Sequence, residues 1–189
     1  MDDGFLIRQT LSGNANAFRM LVVRYQRPLF RFLGGFGLGQ AVAEELAQET
    51  FLRAYRNLSR YEAAKAKFSS WLFTIAKHLA LNEKARSHRC VPDPDASADE
   101  VKSLGRDLVP TAHEALESGE RRLRVQRALQ RLPEVLRSAL VLAYLKELSM
   151  DEIASIESCS VGAVKSRIFR GKQLLRAELV ESEDRNGRV

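Results

Sequence analysis

The chain has 189 residues, of which 45% are hydrophobic and 29% charged, with a formal net charge of +6. That length suits one large domain or two small ones, that apolar content supports real cores, and the positive balance favours a polyanionic partner without demanding one. Cys90 and Cys159 stand far apart without C-x-x-C spacing, which argues against a disulfide framework or zinc site, and no run of roughly 18 apolar residues is present to span a membrane.

The start, MDDGFLIRQTLSG, is acidic, lacks a signal-peptide core and reads as a short helix over 4–12 with Phe5, Leu6 and Leu11 apolar. In the SGNAN turn that follows, Asn14 or Asn16 can cap the next helix. Phe18, Leu21, Val22, Tyr25, Leu29, Phe32 and Leu33 recur at helical spacing over 17–33, with Pro28 a candidate kink. The glycines of GGFGLG at 34–39 end that helix.

A third helix is expected over 41–58. Ala43, Leu46, Ala47, Phe51, Ala54 and Leu58 form its core face, while Glu45, Gln48, Glu49, Leu52 and Arg56 share another. Leu52 is the apolar residue of that polar face, a candidate anchor for a partner. The basic segment 59–67 leads into FSSWLFTIAKHLALNEKARSHR, a fourth helix with Ser69 or Ser70 as its cap. Trp71, Leu72, Ile75 and Leu79 supply core. Lys77, His78, Asn82, Lys84, Arg86 and Arg89 line the other side or the helix end, and basic residues around aromatics suit single-stranded or distorted nucleic acid.

Composition then changes. Between Val91 and Val109 five acids stand against two bases among prolines and small residues, which marks a flexible tether that DNA phosphates would repel. A second helical body follows. Its first helix carries Leu116, Leu123, Val125, Leu129 and Leu132; Pro133 and Glu134 open the next, whose buried side is expected to hold Val135, Leu136, Leu140, Val141 and Tyr144. Met150–Ile156 and 161–175 then form two helices across a tight break. Ser160 is the cap of the second, and Ile153, Ala154, Val161, Val164 and Ile168 turn inward. Lys165, Arg167, Arg170, Lys172 and Arg176 make a basic outer face with no acid between Ser160 and Arg176. A helix pair presenting such a face is how a helix-turn-helix enters a DNA major groove. The tail ESEDRNGRV is expected to fray.

The order of parts resembles the extracytoplasmic-function group of bacterial sigma factors, within the sigma-70 family. The resemblance rests on AEELAQETFLRAYRNL and FSSWLFTIAKHLALNEKAR in the first body and on ALQRLPEVLRSALVLAYLKELSMDEIASIESCSVGAVKSRIFRGKQLLR in the second. It implies an all-α protein of two small helical domains joined by a flexible linker: a region 2-like domain over 1–90, a linker over 91–112, a region 4-like helix-turn-helix domain over 113–182 and a tail over 183–189. It implies core RNA polymerase as partner, through the β′ coiled coil and the β flap, with Glu45, Gln48, Glu49 and Leu52 at the β′ contact. Promoter DNA is the second implied partner. Arg60, Lys65, Lys67, Lys77, His78, Asn82, Lys84 and Arg86 would serve the −10 element, where a flipped base is captured. Ser160, Lys165, Ser166, Arg167, Arg170 and Lys172 would serve the −35 element in duplex form, Arg suiting guanine and Lys phosphate. The linker would run toward the polymerase RNA-exit and active-site channels. The resemblance further implies control by an anti-sigma factor, membrane-bound in many members, a cytoplasmic location, no enzymatic activity, no cofactor and no metal.

Departures stand beside it. Lys77-His78 replaces a common Arg-Asn, Asn82 a common Asp, Ala163 a common Thr and Gly171 a common Ala. Glu157-Ser158 occupies a place where Leu-Gly is usual, which strains any left-handed turn there by roughly 1 kcal/mol. A stand-alone helix-turn-helix regulator is the alternative. An enzyme such as a nuclease finds no support: no paired carboxylates occur in a metal-binding context, and GGFGLG lacks the Lys-Ser/Thr of a phosphate loop.

Overall fold

Every described element of the computed structural model, which covers residues 2–87, 123–145 and 148–186, is a helix or a turn. The expected linker over 91–112, with Arg89 and Cys90 before it and Leu116 after it, lies outside the described residues.

The first body has four α-helices: α1 (Asp3–Leu11), α2 (Ala15–Gly34), α3 (Gln40–Arg56) and α4 (Phe68–Ser87), with a 3₁₀ turn at Leu58–Arg60. Asn14 begins α2 by accepting the Asn16 N–H at 3.1 Å. The Asp3 carboxylate binds both Arg24 and the Tyr25 hydroxyl, so α1 is tied to α2 by polar contacts over a buried Leu6 and Ile7. The α2–α3 loop turns at Gly37 and Gly39, whose φ of 73° and 79° belong to the left-handed region that a Cβ disfavours. Leu21, Leu29, Phe32, Leu33, Ala54, Leu72, Phe73 and Ala76 are buried at the centre, with the Phe32 and Phe73 rings edge to face at 5.4 Å. Ser69 and Ser70 do not cap α4. The helix already begins at Phe68 and both serines are buried in its first turn. Trp71 is half-buried against Tyr61 and Phe68, a shared aromatic cluster at the edge of the core.

The second body contains α5, described over 123–131, then α6 (Glu134–Ala143), α7 (Met150–Glu157) and α8 (Val161–Asn186). A capping box starts α7: the Ser149 hydroxyl accepts the Glu152 N–H at 3.3 Å, and the Glu152 carboxylate accepts the Ser149 N–H at 2.9 Å. The helix ends at Ser158, in the left-handed conformation at φ 52°, ψ 47°. There Ser158 N–H bonds Ser155 O and Cys159 N–H bonds Ala154 O, the paired bonds of a Schellman close. Ser160 caps α8 by accepting the Ala163 N–H at 3.2 Å. The long α8 runs on through Asn186, so the expected fraying gives way to helix over 181–186, and residues 187–189 lie outside the described residues.

Two expectations about packing need correction. The buried side of α6 is not Val135 and Tyr144, which are 50% and 67% exposed, but Arg137, Ser138, Ala139, Leu140 and Leu142. The helix is turned because it faces α7 and α8 on one side and the end of α2 on the other, so Arg137 reaches the Phe36 carbonyl of the first body and Ser138 the Glu157 carboxylate of α7. Val125 of α5 is likewise exposed. Gly171 is not simply a weak spot in α8. A Cβ there would lie 3.3 Å from the Leu136 carbonyl oxygen, so glycine lets α8 approach the α6 backbone.

The two bodies dock on each other. α7 lies along α4, α6 meets the end of α2, and the buried apolar residues form a single connected cluster. The glycine loop is part of this seat: a Cβ at Gly35 would fall 2.8 Å from a Val141 methyl, and one at Gly37 3.1 Å from the Gln130 side chain. No described helix is long and apolar enough to cross a membrane.

Candidate nucleic-acid interface

The polar face of α3 stands clear of the core. Glu45 and Gln48 are exposed, Glu49 is half-buried and paired to Arg53 at 2.6 Å, and Leu52 is 49% exposed among them. Phe51 and Ala54, its neighbours in sequence, are buried. The helix therefore spends one face on its own core and leaves a half-exposed leucine among hydrogen-bonding groups on the other.

The residues expected at the −10 element divide into two sets. Arg60, Lys65, His78, Asn82 and Arg86 are exposed, with Lys65 paired to Glu62 and Arg86 to Glu83 on their own body. Lys67, which is itself exposed, and the half-buried Lys77 and Lys84 also meet acids of the second body. Lys67 Nζ is 3.3 Å from Glu152, Lys77 Nζ 3.3 Å from Glu157, and Lys84 Nζ 2.9 Å from Glu134. Lys77 also donates to the Ile156 carbonyl at 3.2 Å, at the end of α7 where the helix dipole favours a cation.

In the sequence Glu134 reads as the opening of a helix and Glu157 as part of the break after α7, while Glu152 is not singled out. Glu157 is buried, its side chain 1% exposed, and takes a 2.6 Å bond from Ser138 Oγ–H and a 3.2 Å contact from Arg167 Nη1 besides the one from Lys77. Glu152 takes a 2.6 Å bond from Ser69 Oγ–H. Burial pushes the Glu152 pKa up, but hydrogen bonds from Ser69, Ser149 and Lys67 outweigh it and hold the carboxyl below its ordinary range. Ser149 followed by Glu152 is a capping-box spacing and was the one legible sign that this acid had a fixed place.

On α8, Ser160, Lys165, Ser166, Arg170 and Lys172 are exposed on the outer side. Val164 and Ile168 are buried beneath them, with Ile153, Ala154 and Ile156 of α7 opposite. Arg167 is half-buried with its guanidinium held by Glu157, while Lys172 lies over the Tyr144 ring at 5.7 Å. The basic face is thus open to solvent even with the two bodies docked. No cluster of three potential metal ligands occurs among the described residues.

Comparison with known proteins gives two family matches along the chain. Residues 21–90 match Sigma-70 region 2 and residues 122–175 match Sigma-70, region 4. The RNA polymerase sigma-H factor of Pseudomonas aeruginosa is 34% identical over 177 residues, covering 92% of this chain and 91% of its own. The ECF RNA polymerase sigma-E factor of Escherichia coli K12 is 34% identical over 179 residues, covering 93% of each. Among solved structures, CnrH in complex with the cytosolic domain of CnrY superposes with a TM-score of 0.69 at 27% identity, over 95% of this chain and 97% of that one. The sigma factor RpoE of Bartonella quintana, solved with the anti-sigma factor NepR, shares the fold at a TM-score of 0.66 and 23% identity, over 86% of this chain and 96% of that one.

Proposed function

The chain belongs to the extracytoplasmic-function sigma factors of RNA polymerase, and from that premise we propose how its surfaces share the work of promoter-specific initiation. Glu45, Gln48, Glu49 and Leu52 dock on core polymerase. The anchor is Leu52, and the surrounding acids and amide fix its orientation, as at interfaces with a small apolar centre and a polar rim. The 59–67 segment and α4 take the −10 strand through Arg60, Lys65, Lys67, Lys77, His78, Asn82, Lys84 and Arg86. Extruding a base costs a few kcal/mol, which these cations recover through phosphate contacts. The start of α8 reads the −35 duplex through Ser160, Lys165, Ser166, Arg167, Arg170 and Lys172. Of these, Arg167 arrives with its guanidinium already oriented by Glu157.

The observation that carries the reading is a single helix, α3, with a complete core face and a half-exposed leucine on the opposite polar face. We further place the protein in the cytoplasm, without catalytic activity, and under an anti-sigma factor. That last element rests on the family resemblance; the sigma factor RpoE of Bartonella quintana, which shares the fold, is solved with the anti-sigma factor NepR. The test is run-off transcription with core polymerase on the promoter of the protein's own operon. Wild type should initiate there, and Glu45→Lys, Glu49→Lys and Leu52→Ala combined should abolish initiation while the circular dichroism stays unchanged. Undiminished initiation by the triple variant would refute the polymerase assignment.

A further inference from the structure

Among the described residues, the stretch of α8 that carries the basic face makes one ion pair, and its partner is an acid inside the fold. Glu157 closes α7 with its side chain 1% exposed, and Arg167 stands in the second turn of α8, across the break between the two helices. The carboxylate is fixed independently of Arg167. Its backbone leads into the Schellman close at Ser158, and its Oε1 takes the 2.6 Å bond from the Ser138 hydroxyl of α6. Oε2 is left for Arg167 Nη1 at 3.2 Å, while Lys77 Nζ of the first body lies 3.3 Å from Oε1. The exposed Lys165, Arg170, Lys172 and Arg176 meet no acid among the described residues.

Stability alone does not call for a carboxylate here. Its desolvation is offset only by well-placed donors, and an apolar side chain of similar volume often stabilises as much. Leucine is usual at this place in the family, so the acid is a feature of this chain. What leucine cannot do is fix a guanidinium. Arg167 sits on the shoulder of α8, one position before the buried Ile168, where a long side chain is free to lie along the bundle or swing out to phosphates. The bond from Nη1 removes that freedom, and Nε and Nη2 make no bond to another described residue. An arginine so held offers a planar pair of donors to a guanine edge without first losing rotamer freedom. The adjacent negative charge also weakens its pull on phosphates, which carry no sequence information.

We propose that Glu157 is a positioning residue for the −35 duplex: it holds Arg167 for a base edge and restrains it from the sequence-blind phosphates. This deepens, and rests on, the assignment of Arg167 to the −35 element. Glu157 is buried and has no surface to offer DNA, so it acts through the guanidinium. Discrimination at one base pair is thus set by a residue of α7, outside the helix that enters the groove.

The test uses the full chain without polymerase. Every protein compared carries Lys77→Ala, so that release of that lysine contributes to none of the differences. A library of short DNA duplexes randomised at the centre, bound and sequenced, gives the preferred sequence of the parent. Fluorescein-labelled duplexes of that sequence and of a scrambled one then give a specificity ratio by anisotropy at several salt concentrations. Glu157→Leu should lower the ratio roughly fivefold, through one loosened base contact. It should also tighten binding to the scrambled duplex and steepen its log–log salt dependence by about 0.9, as the freed arginine neutralises one more phosphate. A purely structural role would weaken both duplexes alike and leave ratio and slope where they were. Glu157→Gln keeps an acceptor for Ser138 and removes the charge, so it gives a smaller change in the same direction if the leucine variant does not fold. In an Arg167→Ala background Glu157→Leu should change nothing further. An unchanged ratio and slope in the Glu157 variants, equal weakening of both duplexes, or an effect that persists without Arg167 overturns the positioning role. A ratio indifferent to Arg167→Ala, or a parent with no preferred sequence, overturns the underlying −35 assignment instead.

Discussion

Ser158→Gly should stabilise the second body, and by an amount the turn itself sets. Ser158 is the only described non-glycine residue at positive φ, and its backbone closes α7 through both Schellman bonds. Holding an L-residue there costs roughly 1–2 kcal/mol. Glycine removes that cost but loosens the unfolded chain by roughly 0.4–1 kcal/mol. The difference is a net gain of about 0.8 kcal/mol. Because Ser158 is exposed, no packing is lost in exchange. Differential scanning calorimetry measures the result. A gain of about 1 kcal/mol raises Tm by roughly 4–8 °C for a unit of 60–100 residues and roughly 2–4 °C for 150–250 residues. The scaled shift therefore also reports whether the second body melts alone or together with the first. An unchanged or lowered Tm would refute the reasoning, and would mean that the serine hydroxyl recovers locally what its Cβ costs.

Gly171→Ala should gain nothing despite a helix-propensity advantage near 1 kcal/mol, because the added Cβ meets the Leu136 carbonyl at 3.3 Å; Gly171→Val should lose about 2 kcal/mol in urea titration, and a stabilised alanine variant would show that α6 yields. Phe73→Ala empties a site 1% exposed at the centre of the first body and should cost about 3–5 kcal/mol by the same titration. Leu52→Ala should leave the melting curve within about 1 kcal/mol of wild type but weaken core polymerase binding by roughly 3–10-fold, as expected for the half of a leucine left for a partner to bury, in a competition assay against a labelled wild-type chain. Acid should weaken the Glu152 contact between the two bodies. Glu152 has a lowered folded pKa, so its contribution is complete above the ordinary glutamate value near ~4.3 and is lost as pH falls through the lower folded value. The yield of a zero-length carbodiimide cross-link between Lys67 and Glu152, corrected for the reagent's own pH dependence on a model peptide, should follow that fall, and Glu152→Gln should abolish this cross-link at every pH.

Most of the helices were legible because their signals are local. Asn14 and Ser160 cap where expected, the glycines stop α2, and the Val164–Ile168 spacing puts a core face under a basic one. The failures lie where a distant segment decides. Ser69 reads as a cap by composition, yet its hydroxyl serves a carboxylate 83 positions away. Arg137 and Ser138 look like solvent-side residues of an amphipathic helix, yet both are buried, because α6 has packed neighbours on two sides. The α4 lysines were visible as a basic row, but not as a row already engaged. Periodicity within one helix carries no information about which other helix supplies the counter-charge. Leu52 was readable because its departure from pattern is confined to one face of one helix.

The length of α8 has a mechanical consequence. Its 26 residues form a rod of about 39 Å. Near one end are Lys165 and Arg170; farther along, Glu178 is pinned to Arg131 of α5 at 2.8 Å, and Gly171 between them is pressed to α6. A rod clamped at its middle and beyond turns as one piece with whatever clamps it. Tilting the α5–α6 pair by a few degrees would therefore swing the tip proposed to face the duplex, making the angle of entry into the groove a property of the whole bundle.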